Sequence, residues 1–416
     1  MNTTERDILV ISESEKKRLT PAHFTVADAS ALIKKISTLL KKAKLRASCV
    51  PGGSYAKGTM IKDNFDIDLF VRFDHFAYKE KDISAILGAA LKPLKPELVH
   101  GSRDYFQLKR KNILFEIIPV LKIDDHRQAQ NVTDMSPLHV DYVKKKMTAK
   151  MADEVRLAKQ FCKGAGVYGA ESYIRGFSGH VLDLLIIFYG SFEQLLKQAS
   201  VWGERVVIDV EHHWKDPLRS LNAAKTISPL VVVDPIQPDR NAAAAVSEER
   251  FEEFKSQAIA FLKKPSHDFF KVKKLSVKDL RKKAGKDWLL IVKAKPLKGK
   301  DDIVGTKILK VHEHFGKLLK KHEFNVLDSG WEYGPTCMLF YIVRKERFSD
   351  KRIAIGPPIS ERVDASRFVA KHKNVFNRDG RLFAMEKRKY KSPDKLLKDL
   401  FKEDHIKEKV KAISLS

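Results

Sequence analysis

Cysteine is scarce in this sequence, long apolar runs are missing, and acidic residues are few beside basic ones. The three cysteines, Cys49, Cys162 and Cys337, are far apart, odd in number and without metal-ligand spacing. That argues against a disulfide framework or a zinc site and suits a reducing compartment. The longest apolar run, Leu184 to Phe188, is too short to span a bilayer. Met1 to Val10 carries charges where a signal peptide needs an apolar core. The expectation is a cytoplasmic protein with no membrane segment. No internal repeat or low-complexity tract is present in the 416 residues, a length that divides into about two to four domains.

The shortage of acid has the widest consequence. Lys and Arg number 79 against 53 Asp and Glu, a formal charge of +26, and the pI is near 9.7. Such a chain repels itself unless a polyanion is its working partner, and nucleic acid is the leading candidate. Hydrophobic content of 43% is enough to build the cores.

The most informative stretch is Pro51-Gly52-Gly53-Ser54-Tyr55-Ala56-Lys57-Gly58-Thr59, followed by Phe65-Asp66-Ile67-Asp68-Leu69-Phe70-Val71. In the second part Ile67, Leu69, Val71 and Phe73 fall on one face of a period-two pattern, and Asp66, Asp68, Phe70 and Arg72 on the other. Two carboxylates pointing the same way repel each other, an arrangement that makes sense around a divalent cation. Oxygen-only ligands select magnesium. In the first part, Gly52 and Gly53 let the backbone approach a ligand, Ser54 offers a hydroxyl and an N–H at a helix start, and Lys57 adds positive charge. Alone, each piece has a plainer reading as a turn, a surface lysine or a strand end. Together they form a phosphate cradle beside a metal site.

Along the chain, a helical stripe over Ala29 to Leu45 precedes a strand at Ser48 to Val50, and a helix runs through Ile83, Ile86, Leu87, Ala90 and Leu91. Tyr105–Leu108 and Ile113–Val120 read as strands joined by the polar turn Lys109 to Asn112. Within the second of these strands Glu116 is the lone carboxylate, and burying it unpaired is costly. It is either salt-bridged to a lysine or a third metal ligand beside Asp66 and Asp68. From Met151 the period is helical, and Val181–Tyr189 is apolar nearly all round, as a core helix is. Ser247 is expected to cap a helix that buries Phe251, Phe254, Ala258 and Phe261, with a domain boundary at Pro265-Ser266. Beyond it Trp288–Ala294, Thr306–Lys321, Asn325–Trp331 and Cys337–Val343 follow a β-α-β-β order. Gly356-Pro357-Pro358 is expected to break the chain, and Phe368 to Lys391 to form a basic tail with interleaved aromatics.

The Gly-Ser motif, an eleven-residue spacer and Asp-Ile-Asp resemble the signature of the polymerase-beta-like nucleotidyltransferases. With Glu116, and with the stretches Thr133 to His139, Asp153 to Lys159, Gly166 to Glu171, Arg175 to Gly179, Val232 to Pro235 and Arg240 to Ala243 in that order, the chain resembles the archaeal-type, or class I, CCA-adding enzymes. The match is good to about residue 265 and looser beyond. The resemblance implies an α+β fold with a nucleotidyltransferase head of mixed sheet and flanking helices over 1–150. It also implies a mostly helical central substrate-binding domain over 151–265, and a basic C-terminal α+β RNA-binding body and tail over 266–416.

By the same resemblance, Asp66, Asp68 and Glu116 would be catalytic and hold Mg2+. Gly53, Ser54, Lys57, His139, Lys159, Tyr168, Arg240 and Asn241 would bind the nucleotide. CTP and ATP would be the substrates, tRNA the partner through its 3′ end, acceptor arm and T arm, and the protein a homodimer. Two positions depart from the family pattern. The third carboxylate is Glu116 rather than the commoner Asp, one methylene longer. Lys57 stands where many relatives have Arg, a point charge in place of a bidentate fork. Another template-independent RNA polymerase would share the carboxylates, and a non-catalytic RNA-binding relative would lack the complete set.

Overall fold

The computed structural model describes residues 3–21, 24–62, 66–110 and 112–416. Phe65 of the motif, Lys111 of the polar turn and Met1 lie outside them. Residues 1–273 and 274–416 form two compact units.

The first unit holds a five-stranded sheet in the order β1-β2-β5-β4-β3, made of β1 (Ala47–Pro51), β2 (Asp66–Asp74), β3 (Glu97–Val99), β4 (Tyr105–Arg110) and β5 (Ile113–Lys122). Only β2 and β5 pair in parallel; the other pairs are antiparallel. Alternation in β2 decides its faces. Ile67, Leu69, Val71 and Phe73 are fully buried against the helices Phe24–Lys42 and Ile83–Leu91 through Leu32, Ile36, Leu40, Leu87 and Leu91. The opposite face carries Asp66 and Asp68, then Phe70, which packs with Val120 and Val140. Asp82 caps the second helix by accepting the Ala85 N–H at 2.9 Å.

A second core in this unit comes from the helices Thr3–Leu19, Ala149–Gly164, Gly179–Tyr189, Phe192–Ala199 and Glu248–Lys263. Phenylalanines dominate it: Phe161 meets Phe192, Phe254, Phe261 and Phe270 at ring separations of 5.5 to 6.0 Å, a range of favourable aromatic contact. Ser247 caps as expected, and Phe251, Phe254, Ala258 and Phe261 are all buried. The Thr3–Leu19 helix was not expected; a single stripe, Ile8, Ser12, Glu15 and Leu19, is buried in it, too polar to read as amphipathic. Two short parallel strands, β6 (Val206–Ile208) and β7 (Leu230–Val232), complete the unit.

The second unit is built on an antiparallel sheet in the order β14-β8-β10-β9, from β8 (Trp288–Pro296), β9 (Val326–Glu332), β10 (Cys337–Val343) and β14 (Val410–Leu415). The helix Asp301–Lys321 covers one face through Ile308, Val311, Phe315 and Leu319. The expected β-α-β-β order is present, and the chain end adds the fourth strand.

Two expectations are corrected here. Gly356 to Pro358 does not break the chain. It lies at the end of β11 (Lys351–Pro358), where the pairing register shifts. Residues 368–391 are not an irregular tail: β12 (Val375–Arg378) and β13 (Arg381–Lys387) join β11 in a three-stranded sheet, with the helix Arg362–Lys371 beside it. Short strands with charged residues between apolar ones, such as Arg381 to Lys387, look like a basic tail until a partner strand supplies the pairing. Gly356 is required because the Phe368 ring lies 2.8 Å from where a β-carbon would stand. Among the described residues, no helix is long and apolar enough to cross a membrane.

Candidate active site

The parallel register of β2 and β5 sets Asp68 directly opposite Glu116. Asp66, two residues earlier in β2, shares the face of Asp68. Burial, then the neighbouring Glu116, push the Asp68 carboxyl up to about 6, with Lys57 opposing and Asp66 adding to the rise. Burial also raises Asp66, against the pull of Lys163. Glu116 accepts a hydrogen bond from Gln107 Nε2 at 2.8 Å, because Gln107 is its cross-strand neighbour on β4. A neutral amide, in place of the lysine that a salt bridge would need, thus orients the Glu116 carboxylate beside Asp68. Asp68 carries the repulsion of both Glu116 and Asp66, an oxygen-donor chemistry that suits a hard divalent cation; the three carboxylates do not all lie within 4.8 Å of one another in this structure.

The glycine turn is seated on the same strand. The Gly52 N–H donates to the Asp68 carbonyl at 2.8 Å, and Gly53 sits at φ +51° with the Asp68 carboxylate against it. Ser54 follows in the four-residue helix Gly53–Ala56, its carbonyl accepting the Thr59 N–H at 2.9 Å. Lys57, immediately after that helix, is ion-paired with the fully buried Asp183.

The helix Ala149–Gly164 supplies an opposing cationic wall. Lys159 is buried rather than exposed; its Nζ donates to Thr59 Oγ1 at 2.9 Å and lies 4.0 Å from Asp183. Burial lowers the Lys159 ammonium to about 8, with Asp183 opposing and Lys57, Lys163 and Arg156 reinforcing the fall. Lys163, one turn on, is lowered by burial and raised by Asp66, and its Nζ stands 5.2 Å from the Tyr168 ring centre. The Tyr168 hydroxyl is raised by burial, Asp183, Cys162 and Glu171. It lies 3.2 Å from where a β-carbon on Gly179 would be, so Gly179 leaves room for both Tyr168 and Lys159.

His139 Nε2 lies 2.8 Å from Asp234 Oδ1, and Arg240 donates to Asp234 Oδ2 at 3.0 Å. Burial works to raise Asp234, but the His139 hydrogen bond and the charges of His139 and His180 outweigh it and hold the carboxyl well below the usual range. His180 packs on His139 at 4.5 Å and is depressed to about 3, first by burial and then by His139 and Lys57. Lys57 and Lys159 thus share Asp183, and His139, His180 and Arg240 gather around Asp234. Asn241 stands apart from them in role. Its Oδ1 accepts the Val232 and Ala243 N–H groups, and its Nδ2 donates to the Lys225 and Leu230 carbonyls. The side chain braces the loop that carries Asp234 and Arg240.

Sequence reasoning missed Gln107, Lys163, His180, Asp183 and Asp234 as members of the site. Asp183 carried a signal: a lone acid in the otherwise apolar Val181–Tyr189 run needs a buried partner.

A paired-carboxylate strand, a seryl-glycine turn and a cationic wall define a nucleotidyltransferase. The chain matches the nucleotidyltransferase domain over residues 32–151, the tRNA nucleotidyltransferase second domain over 153–271 and the CCA-adding enzyme C-terminal domain over 285–412. It is 32% identical to the CCA-adding enzyme of Methanocaldococcus jannaschii over 358 residues, 84% of this chain and 79% of the relative. To that of Nanoarchaeum equitans it is 33% identical over 340 residues, 80% and 82% of the two chains. The chain belongs to the CCA-adding enzyme family. Its fold is shared with Cid1 bound to the UTP analogue UMPNPP, at TM-score 0.51 and 13% identity, over 65% of this chain and all of that one. The nucleotidyltransferase fold implies use of a divalent metal.

Proposed function

We propose that this protein adds C, C and A to the 3′ end of tRNA from CTP and ATP, without a template, releasing pyrophosphate. The observation that carries the chemistry is the register that sets Glu116 opposite Asp68 and beside Asp66. Family membership supports the choice of tRNA and of the CCA sequence.

Asp66, Asp68 and Glu116 would hold magnesium. When bound, the metal supplies Lewis acidity to the tRNA 3′-hydroxyl and neutralises charge on the departing pyrophosphate. Gln107 keeps the Glu116 carboxylate aimed at the shared face. Gly53 and Ser54 receive the triphosphate by close backbone approach, and Lys57, Lys159 and His139 supply positive charge and hydrogen-bond donors to it. Before nucleotide arrives, Asp183 neutralises Lys57; an incoming polyphosphate competes with it for that lysine. Tyr168 contacts the nucleotide through its hydroxyl, and Arg240 shapes the base pocket on the loop braced by Asn241. No side chain need act as a nucleophile.

The division of labour is a catalytic head over 1–150, a central substrate-binding domain over 151–265 and a basic body over 266–416 that holds the acceptor and T arms by phosphate contacts and shape. A cytoplasmic homodimer completes the reading.

The test is incorporation of labelled CTP and ATP, alone and together with Mg2+, onto a tRNA transcript lacking its last three nucleotides. Two C residues and one A, then arrest, are expected. A long homopolymer would assign the protein to another template-independent polymerase class, and tight tRNA binding without incorporation would make it a non-catalytic RNA-binding protein.

A further inference from the structure

The C-terminal unit contains a group of ligating side chains that nucleotidyl transfer does not use. His314 projects from the Asp301–Lys321 helix; Glu403 and His405 lie at the turn that leads into β14. The Nε2 atoms of His314 and His405 are 3.2 Å apart. Glu403 Oε2 is 3.5 Å from each of them.

Those three separations form a nearly equilateral triangle. Zinc bound tetrahedrally through bonds of about 2.0–2.1 Å requires ligand atoms roughly 3.3 Å apart, so the triangle matches one face of such a site. All three side chains are partly exposed, between 31% and 47%, which leaves a fourth position open to water. The donor set, two imidazoles and one carboxylate, favours zinc over magnesium, which prefers oxygen alone.

Both sides of the triangle are rigid. The Glu403 carbonyl accepts the Ile406 and Lys407 N–H groups at 3.0 and 3.2 Å, Ile406 is fully buried, and Phe401 packs on Phe315 at 5.7 Å. The lysines around the turn are engaged elsewhere: Lys402 with Asp399, Lys407 with Asp404, and Lys409 with the His405 carbonyl. The cluster His139, His180 and Asp234 is a poorer host, because Arg240 and backbone N–H groups already occupy the Asp234 oxygens.

We propose that His314, Glu403 and His405 bind a zinc ion that ties the turn before β14 to the Asp301–Lys321 helix. The clamp holds the edge strand that closes the sheet. The cysteine spacing gave no sign of it, because the ligands are imidazoles and a carboxylate that only the fold brings together.

The full-length protein, stripped with EDTA, is titrated with Zn2+ against a chromophoric chelator and, separately, with Co2+ while its visible ligand-field absorption is followed. One tight site with tetrahedral Co2+ absorption is expected. Zinc affinity should fall at least tenfold, and the absorption should be lost, in His405→Ala and in His314→Ala. His180→Ala should retain both. Zinc should raise the thermal midpoint of the wild type by several degrees and leave His405→Ala unmoved. Circular dichroism of each metal-free variant, matched to the wild type, establishes that the loss is not misfolding; if His405→Ala is misfolded, Glu403→Gln takes its place. Equal zinc affinity in wild type and folded ligand variants, or loss of binding in His180→Ala alone, would overturn the proposal.

Discussion

Gly53 sits so close to Asp68 that a β-carbon on residue 53 would stand 1.6 Å from Asp68 Oδ2. The turn and the carboxylate form one packed unit, and the positive φ of Gly53 adds backbone strain for a residue with a β-carbon. Gly53→Ala should therefore cost about 1–2 kcal/mol of stability through its backbone alone. It should also displace the Asp68 carboxylate and reduce incorporation about a hundredfold or more. Steady-state kinetics beside a thermal melt separates the two effects; full activity would mean that Asp68 tolerates displacement.

The raised Asp68 carboxyl makes a statement about stability without metal. Its folded value of about 6 exceeds the ordinary 3.8, so folding favours the protonated form. The native state is relatively stabilised at low pH and loses that advantage as pH rises through about 4 to 6. Discounted for partial solvent access, the cost at neutral pH is about 1–2 kcal/mol. In EDTA, Asp68→Asn should melt higher than the wild type at pH 8 and equally at pH 4, while failing to incorporate nucleotide.

Among the described residues Gln107 hydrogen-bonds the site through Glu116, which makes it a positioning residue. Gln107→Leu should lower kcat about ten- to a hundredfold with little change in KM for CTP. A rise in KM with kcat preserved would place Gln107 in substrate binding instead.

Burial lowers Lys159 to about 8. A lysine that must be charged to meet a triphosphate is progressively lost from the free enzyme as pH rises through that value. The profile of kcat/KM for CTP should fall above about pH 8, and Lys159→Met should be lower throughout and lack that limb. Folding shows the opposite trend, since the cost of burying the charge is relieved as pH climbs from about 8 towards 10.5.

Asp183 is fully buried and pairs with Lys57. Asp183→Ala would leave Lys57 and Lys159 without their shared counter-charge and should destabilise by about 3–5 kcal/mol. Asp183→Asn, which keeps a hydrogen-bond acceptor, should cost less. Urea denaturation of both variants measures the difference; equal and small losses would show that the pair contributes little.

Much of this protein follows from local pattern. The two-residue period of Ile67 to Phe73 placed Asp66 and Asp68 on one face, the apolar spacing of Phe251 to Phe261 and the Ser247 cap placed a helix, and the motif order identified the family. These are properties of neighbouring residues on one backbone, so the chain determines them alone. Which strand lies beside β2, and at what register, depends on packing over distances the local pattern does not contain. Tertiary structure therefore decided that Glu116 faces Asp68 and accepts from Gln107, and that Lys57 meets Asp183 across 126 residues. It also folded the supposed tail into a sheet, because a charged, alternating segment becomes a strand only when a partner satisfies its backbone N–H and carbonyl groups. His314 and His405, 91 residues apart, meet for the same reason: buried apolar contacts from Phe315, Phe401 and Ile406 bring their elements together, and no local signal in either histidine's surroundings announces the other.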